Sequence, residues 1–129
     1  MMFDLTKKTD YGIELMVALA KSYGKGPVSL RQVVKTRHLP LKFLENIATI
    51  LREENLIDAK EGKAGGYALK KAPAKISLTK IVDALQGPME MGGCFACPKA
   101  NGCGQKDVWH EVGQSVKKTI GKKTLEDLL

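Results

Sequence analysis

The sequence predicts a mainly α-helical fold with one small β-hairpin (α+β). Three observations predict it. Apolar residues recur at three- and four-residue spacing over most of the chain. A single run, residues 56–71, switches to period two around a glycine-rich tip. A separate apolar stripe then returns near the C-terminus, beyond a segment rich in glycine and cysteine.

The elements follow in order. Residues 6–23, TKKTDYGIELMVALAKSY, read as a helix with Tyr11, Leu15, Met16, Leu19 and Tyr23 on one buried face. The glycine and proline of GKGP (24–27) end it. Residues 29–38, SLRQVVKTRH, open with a capping box. Ser29 accepts from the backbone of Gln32, and the Gln32 side chain reaches back. Pro40 sits where the first turn of a helix tolerates a missing N–H. Residues 41–55 then place Phe43, Leu44, Ile47, Ile50 and Leu51 on one side, and Lys42, Glu45, Asn46 and Thr49 on or near the other. Two short helices joined by a tight turn fit a helix-turn-helix, although a plain helical hairpin has the same pattern.

The period-two run that follows separates the two readings. Ile57 and Ala59 alternate on one arm and Tyr67 and Leu69 on the other, around Gly62, Gly65 and Gly66. A hairpin directly after a helix-turn-helix makes a winged helix. Lys60 and Lys63 on the wing can reach phosphate or the minor groove. A further helix, 77–87, buries Leu78, Ile81, Val82 and Leu85, and Gly87–Pro88 stops it. The predicted organisation is a winged helix-turn-helix domain over 1–87, a cysteine-containing loop over 88–106, and a helix with a C-terminal turn over 107–129. In the last, Val108, Trp109, Val112, Val116 and Ile120 form a narrow stripe. Such a stripe must be covered, by the domain itself or by its copy in a homodimer. Thr124 is placed to cap the final turn.

Charge and cysteine usage narrow the function. The 129-residue chain has a net charge of +7 and is 43% hydrophobic, which suits a folded core and an anionic partner such as nucleic acid. The longest uncharged apolar run near the start, Leu15–Ala20, is far short of the ~18 residues of a membrane span. The start of the chain also lacks a signal-peptide layout, so the expected compartment is the cytosol, with no membrane partner. There, clustered thiols are metal-binding or redox groups more often than disulfides. All three cysteines fall in one C-x2-C-x5-C cluster: Cys94, Cys97 and Cys103. Thiolates select iron–sulfur clusters, zinc or copper(I), and three of them leave one ligand to find. A thiol-redox enzyme would need a βαβ core, and the sequence has no such pattern.

Taken in order, LTKKTDYGIELMVALA, PVSLRQV, LPLKFLENIATILREENLI, GKAGGYALKK, IVDALQGP, the three cysteines and a tryptophan six residues after the last resemble the Rrf-two family of winged-helix regulators, which includes IscR, NsrR and CymR. The resemblance covers nearly the whole chain. It implies a homodimeric transcription factor, repressor or activator and not an enzyme, on a palindromic double-stranded operator. It also implies an iron–sulfur cluster (2Fe–2S or 4Fe–4S) that senses iron–sulfur status, redox state or nitric oxide. A zinc-bound or cluster-free regulator, such as the cysteine-metabolism type, is the alternative. The implied DNA-facing set is Ser29, Arg31, Pro40, Lys42, Glu45, Asn46, Lys60 and Lys63, with Lys42 and Glu45 on bases. The cluster-bearing branches use C-x5-C-x5-C. Cys97, Cys103 and Trp109 keep that register, whereas the expected first position is Met91 and Cys94 lies three residues later. The histidine of the IscR branch is replaced by Lys106, and an arginine before the wing by Glu61. The aspartate that completes the NsrR-branch site from the partner chain corresponds to Asp10. His110 is the other candidate ligand.

Overall fold

The computed structural model describes residues 6–63, 65–87 and 104–129, with side chains from 107 onward in the last segment. The three cysteines, and most of the expected loop with them, lie outside the described residues.

Helix α1 (Lys7–Lys21) starts where Thr6 Oγ1 accepts from the Thr9 amide at 3.1 Å. Leu15, Met16 and Leu19 are essentially fully buried along one face. The helix ends before Tyr23, which is 46% exposed and does not belong to the buried face expected of it. Gly24 and Gly26 follow with positive φ, and this left-handed backbone turns the chain away from the helix axis. Helix α2 (Leu30–Arg37) carries both halves of the capping box: Ser29 Oγ accepts from the Gln32 amide, and Gln32 Oε1 accepts from the Ser29 amide. His38, at φ 55°, closes it in the left-handed region.

Helix α3 (Leu41–Glu53) buries Leu44, Ile47, Ala48 and Leu51. Pro40 is its N-cap, one residue outside the first turn expected for it. Phe43 also departs from expectation. It lies roughly a quarter turn off the centre of the buried arc, is 36% exposed, and meets Tyr11 edge-on with ring centroids 5.5 Å apart. Asn55, at φ 62°, reverses the chain into strand β1 (Ile57–Lys60), which pairs antiparallel with β2 (Gly66–Leu69) from Ile57↔Leu69 to Lys60↔Gly66. The alternation holds at the base of the hairpin, where Ile57 and Leu69 are buried. It fails at Ala59, which is exposed because the wing projects beyond the core there.

A third segment joins the sheet. Val28 and Tyr67 exchange backbone hydrogen bonds of 2.9 and 2.7 Å. Gly66 permits this approach, since a Cβ there would run into the Val28 carbonyl. The sheet thus ties the segment ahead of the helix-turn-helix to the wing.

After a 3-10 turn at Pro73–Lys75, helix α4 (Leu78–Gln86) is capped by Ser77 Oγ, which accepts from the Lys80 amide at 3.2 Å. Helices α1, α3 and α4 pack together around the core, with Gly12 of α1 buried between Leu85 and Ile47. Helix α5 (Gly104–Gly121) begins three residues ahead of the expected 107 and packs on α4. Its stripe divides into two rows. Trp109, Val116 and Ile120 are half-buried in line with the buried Gly113, whereas Val108 and Val112 are 56% and 36% exposed. The chain then returns to the domain. The Leu78 amide donates to the Lys123 carbonyl, and the Leu125 amide to the Ile76 carbonyl. Thr124 and Asp127 form a capping box, and Leu125 enters the core fully buried.

Candidate nucleic-acid interface

The fold presents two elements on which the candidate DNA-facing residues lie. On α3, burial of Leu44, Ile47, Ala48 and Leu51 turns Lys42, Glu45, Asn46 and Thr49 to solvent. Thr49 donates to the Glu45 carbonyl at 3.0 Å, leaving the Glu45 carboxylate outside that bond. Pro40 supplies no side-chain cap, so the first turn of α3 keeps backbone N–H groups that can meet an anion, with Lys42 beside them. On the wing, Lys60 and Lys63 are both exposed, on either side of Gly62, whose φ of 106° forms the tip. Glu61 is exposed between them.

One candidate, Ser29, and one further hairpin lysine, Lys70, have other work. The Ser29 hydroxyl is engaged in the capping box, accepting from the Gln32 amide and lying 3.4 Å from Gln32 Oε1. Arg31, on the first turn of the same helix, is exposed. Lys70 hydrogen-bonds Asn55 Oδ1 at 3.2 Å and pairs with Asp58 at 3.6 Å, fastening the wing base to the end of α3. Nothing in the period-two pattern marked Lys70 as different from the wing lysines, because its partners are Asn55, in the turn after α3, and Asp58 on the opposite arm of the hairpin.

The candidate ligands Asp10 and His110 are exposed on α1 and α5. Among the described residues, no group of three or more His, Cys, Asp or Glu side chains could hold a metal ion. The Thr6 amide donates to Gln86 Oε1 at 3.2 Å, placing the start of α1 beside the end of α4, where the cysteine-bearing segment departs. Among the described residues, no helix is long and apolar enough to cross a membrane.

A helix-turn-helix with a solvent-facing second helix, followed by a basic hairpin, is a winged-helix DNA-binding unit. A family model described as "Rrf2: Iron-dependent Transcriptional regulator" matches residues 5–129, and the chain belongs to that family of transcriptional regulators. The HTH-type transcriptional regulator CymR of Bacillus subtilis is 31% identical over 124 residues, 96% of this chain and 88% of that protein. The solved structure of this CymR, described as a global cysteine regulator, superposes with a TM-score of 0.87 over 98% of this chain and 96% of the other. The structure of T. potens IscR matches at 28% identity with a TM-score of 0.81, covering 98% of this chain and 85% of that one.

Proposed function

We propose that the chain acts as a homodimer on a palindromic operator and reports the state of an iron–sulfur cluster held by Cys94, Cys97 and Cys103. In this reading α3 enters the major groove with Lys42, Glu45 and Asn46, while Arg31, Pro40 and the Ser29 backbone face the phosphates. Lys60 and Lys63 follow the backbone or minor groove alongside. The carrying observation is one of position: all three thiols lie between α4 and α5, and α5 begins at the residue after Cys103.

The donor set fits such a group. Three soft thiolates suit iron and sulfide, and an exposed carboxylate or imidazole supplies a harder fourth ligand. A bound cluster would supply a redox-sensitive cross-link among the thiols. The chain's own residues do the rest. Cys103 fixes the start of α5, Trp109, Val116 and Ile120 hold that helix near the domain, and Lys123 and Leu125 tie its far end to Leu78 and Ile76 at the entry to α4. The outer row, Val108 and Val112, is available to a second copy. A change at the thiols thereby alters the spacing of two reading heads.

Likeness to a cysteine regulator favours a second reading, in which the thiols hold zinc or no metal. Anaerobic purification separates the two. A brown protein with stoichiometric iron and acid-labile sulfide supports the cluster, and a colourless one supports the second reading. Each single Cys→Ala change should bleach the visible absorbance and leave the helical circular dichroism unchanged. A Cys94→Ala protein with full colour and iron would remove Cys94 from the site.

A further inference from the structure

The DNA-binding reading does not use an open cleft of about 570 Å³ between the end of α1 and one flank of α2. Its volume is that of a small-molecule site. Lys21, Lys25 and Arg37 line it, and no acidic residue does. None of the three forms an ion pair among the described residues. Arg37 is half-buried and has no carboxylate partner among the described residues. Neutral donors complete the lining. Gln32 Oε1 is held by the Ser29 amide, which leaves the Gln32 NH₂ group as a donor, and Ser22 also lines the cleft. Val28 and Val33 contribute apolar surface.

We propose that this cleft binds a small dianion, carrying either two carboxylates or one phosphate or sulfate group. Three cations without a carboxylate partner line one cleft, and a single multivalent anion satisfies them together, with the planar Arg37 fork suited to a bidentate contact. DNA is the competing source of phosphate, and the helix geometry argues against it. At 3.6 residues per turn, Gln32, Val33, Thr36 and Arg37 centre on a direction roughly 170° from Arg31 on α2. If Arg31 faces DNA, the cleft faces away. A dianion here braces α1 against α2, the two helices that set the position of α3. Binding itself does not rest on the DNA reading; its consequence for operator affinity does.

The test is isothermal titration of the whole protein with inorganic phosphate, sulfate and succinate, each at ionic strength matched with chloride. One saturable site per chain is expected for at least one probe, and the tighter of phosphate and succinate identifies the chemical source. Lys25→Glu, at an exposed turn position, should weaken it about tenfold or more, as loss of a charge-assisted contact does. Lys122→Ala, which removes a lysine remote from the cleft, should leave it unchanged. Absence of saturable binding by all three probes would overturn the proposal, as would equal weakening by both variants. A DNA-binding salt slope that falls by ~1 in Lys25→Ala without any dianion binding would assign the cleft to the operator backbone instead.

Discussion

Gly12 shows how one residue sets the packing of this domain. It is buried on α1, and a Cβ added there would run into the Leu85 side chain of α4 and crowd Ile47 of α3. Gly12→Ala gains helix propensity yet drives its Cβ into the Leu85 methyls, which must repack within a closed core. The expected net effect is a loss of about 1–3 kcal/mol, as in other overpacked cores, read as a lower urea midpoint at unchanged slope. The apolar rows around Gly12 were legible in the sequence because spacing alone reports which face of a helix is buried. The close approach at Gly12 was not, since a glycine in a helix looks the same whether a neighbour needs the space or not. Tyr23 and Phe43 failed for related reasons. Tyr23 lies past a helix end that the local pattern placed two residues too late, and Phe43 sits at the rim of its buried arc, where Tyr11 covers part of the ring.

At the scale of elements, local chemistry was read well and long-range pairing was not. The Ser29–Gln32 capping box and the cap expected at Thr124 are each determined within four residues, and both are present, the second as a box with Asp127. The Val28–Tyr67 bridge joins positions 39 apart and leaves no local signature except the glycine at 66. The DNA-facing elements share this division. The exposed side of α3 follows from its periodicity, whereas the Lys70 anchor depends on Asn55 and Asp58. The two elements should therefore respond differently to mutation. Lys63→Ala on the wing should lower affinity by a similar factor on every sequence and reduce the salt slope by ~1, because phosphate contacts carry no sequence information. Lys42→Ala and Glu45→Ala on α3 should change which operator bases are preferred, since a carboxylate accepts from the cytosine amino group and a cation contacts guanine acceptors. Binding isotherms at several salt concentrations, on an operator and its single-base variants, check both. A Lys63→Ala protein that matches the parent at every salt concentration removes the wing from the interface.

For the whole molecule, the proposed function requires the cysteine-bearing segment of one chain to act on the reading heads of two. Helix α5 spends its inner row, Trp109, Val116 and Ile120, on its own domain and leaves Val108 and Val112 outward. In the proposed dimer a second copy lies against that outer row, and the resulting two-fold symmetry suits a palindrome. Asp10 stands exposed on α1, whose start is tied to Gln86 at the edge of the cysteine-bearing segment. If the partner's cluster takes Asp10 as its fourth ligand, dimerisation and cluster retention are one equilibrium. Val112→Glu places a charge in the proposed interface. It should yield a monomer by sedimentation, with palindrome affinity lower by roughly 100-fold or more because the second half-site no longer binds as part of the same molecule. That monomer still carries Cys94, Cys97, Cys103 and Asp10, yet it should lose its visible absorbance faster than the dimer. Mixed dimers locate the ligand. In a dimer of one Asp10→Ala chain and one chain without cysteines, the cysteines meet an intact Asp10 from the other chain, and the cluster should be as stable as in the parent. In a dimer of two Asp10→Ala chains it should be labile. Equal cluster stability in the two dimers excludes Asp10 of the partner chain, and a monomer that keeps its cluster moves the fourth ligand to the same chain, where His110 is the candidate.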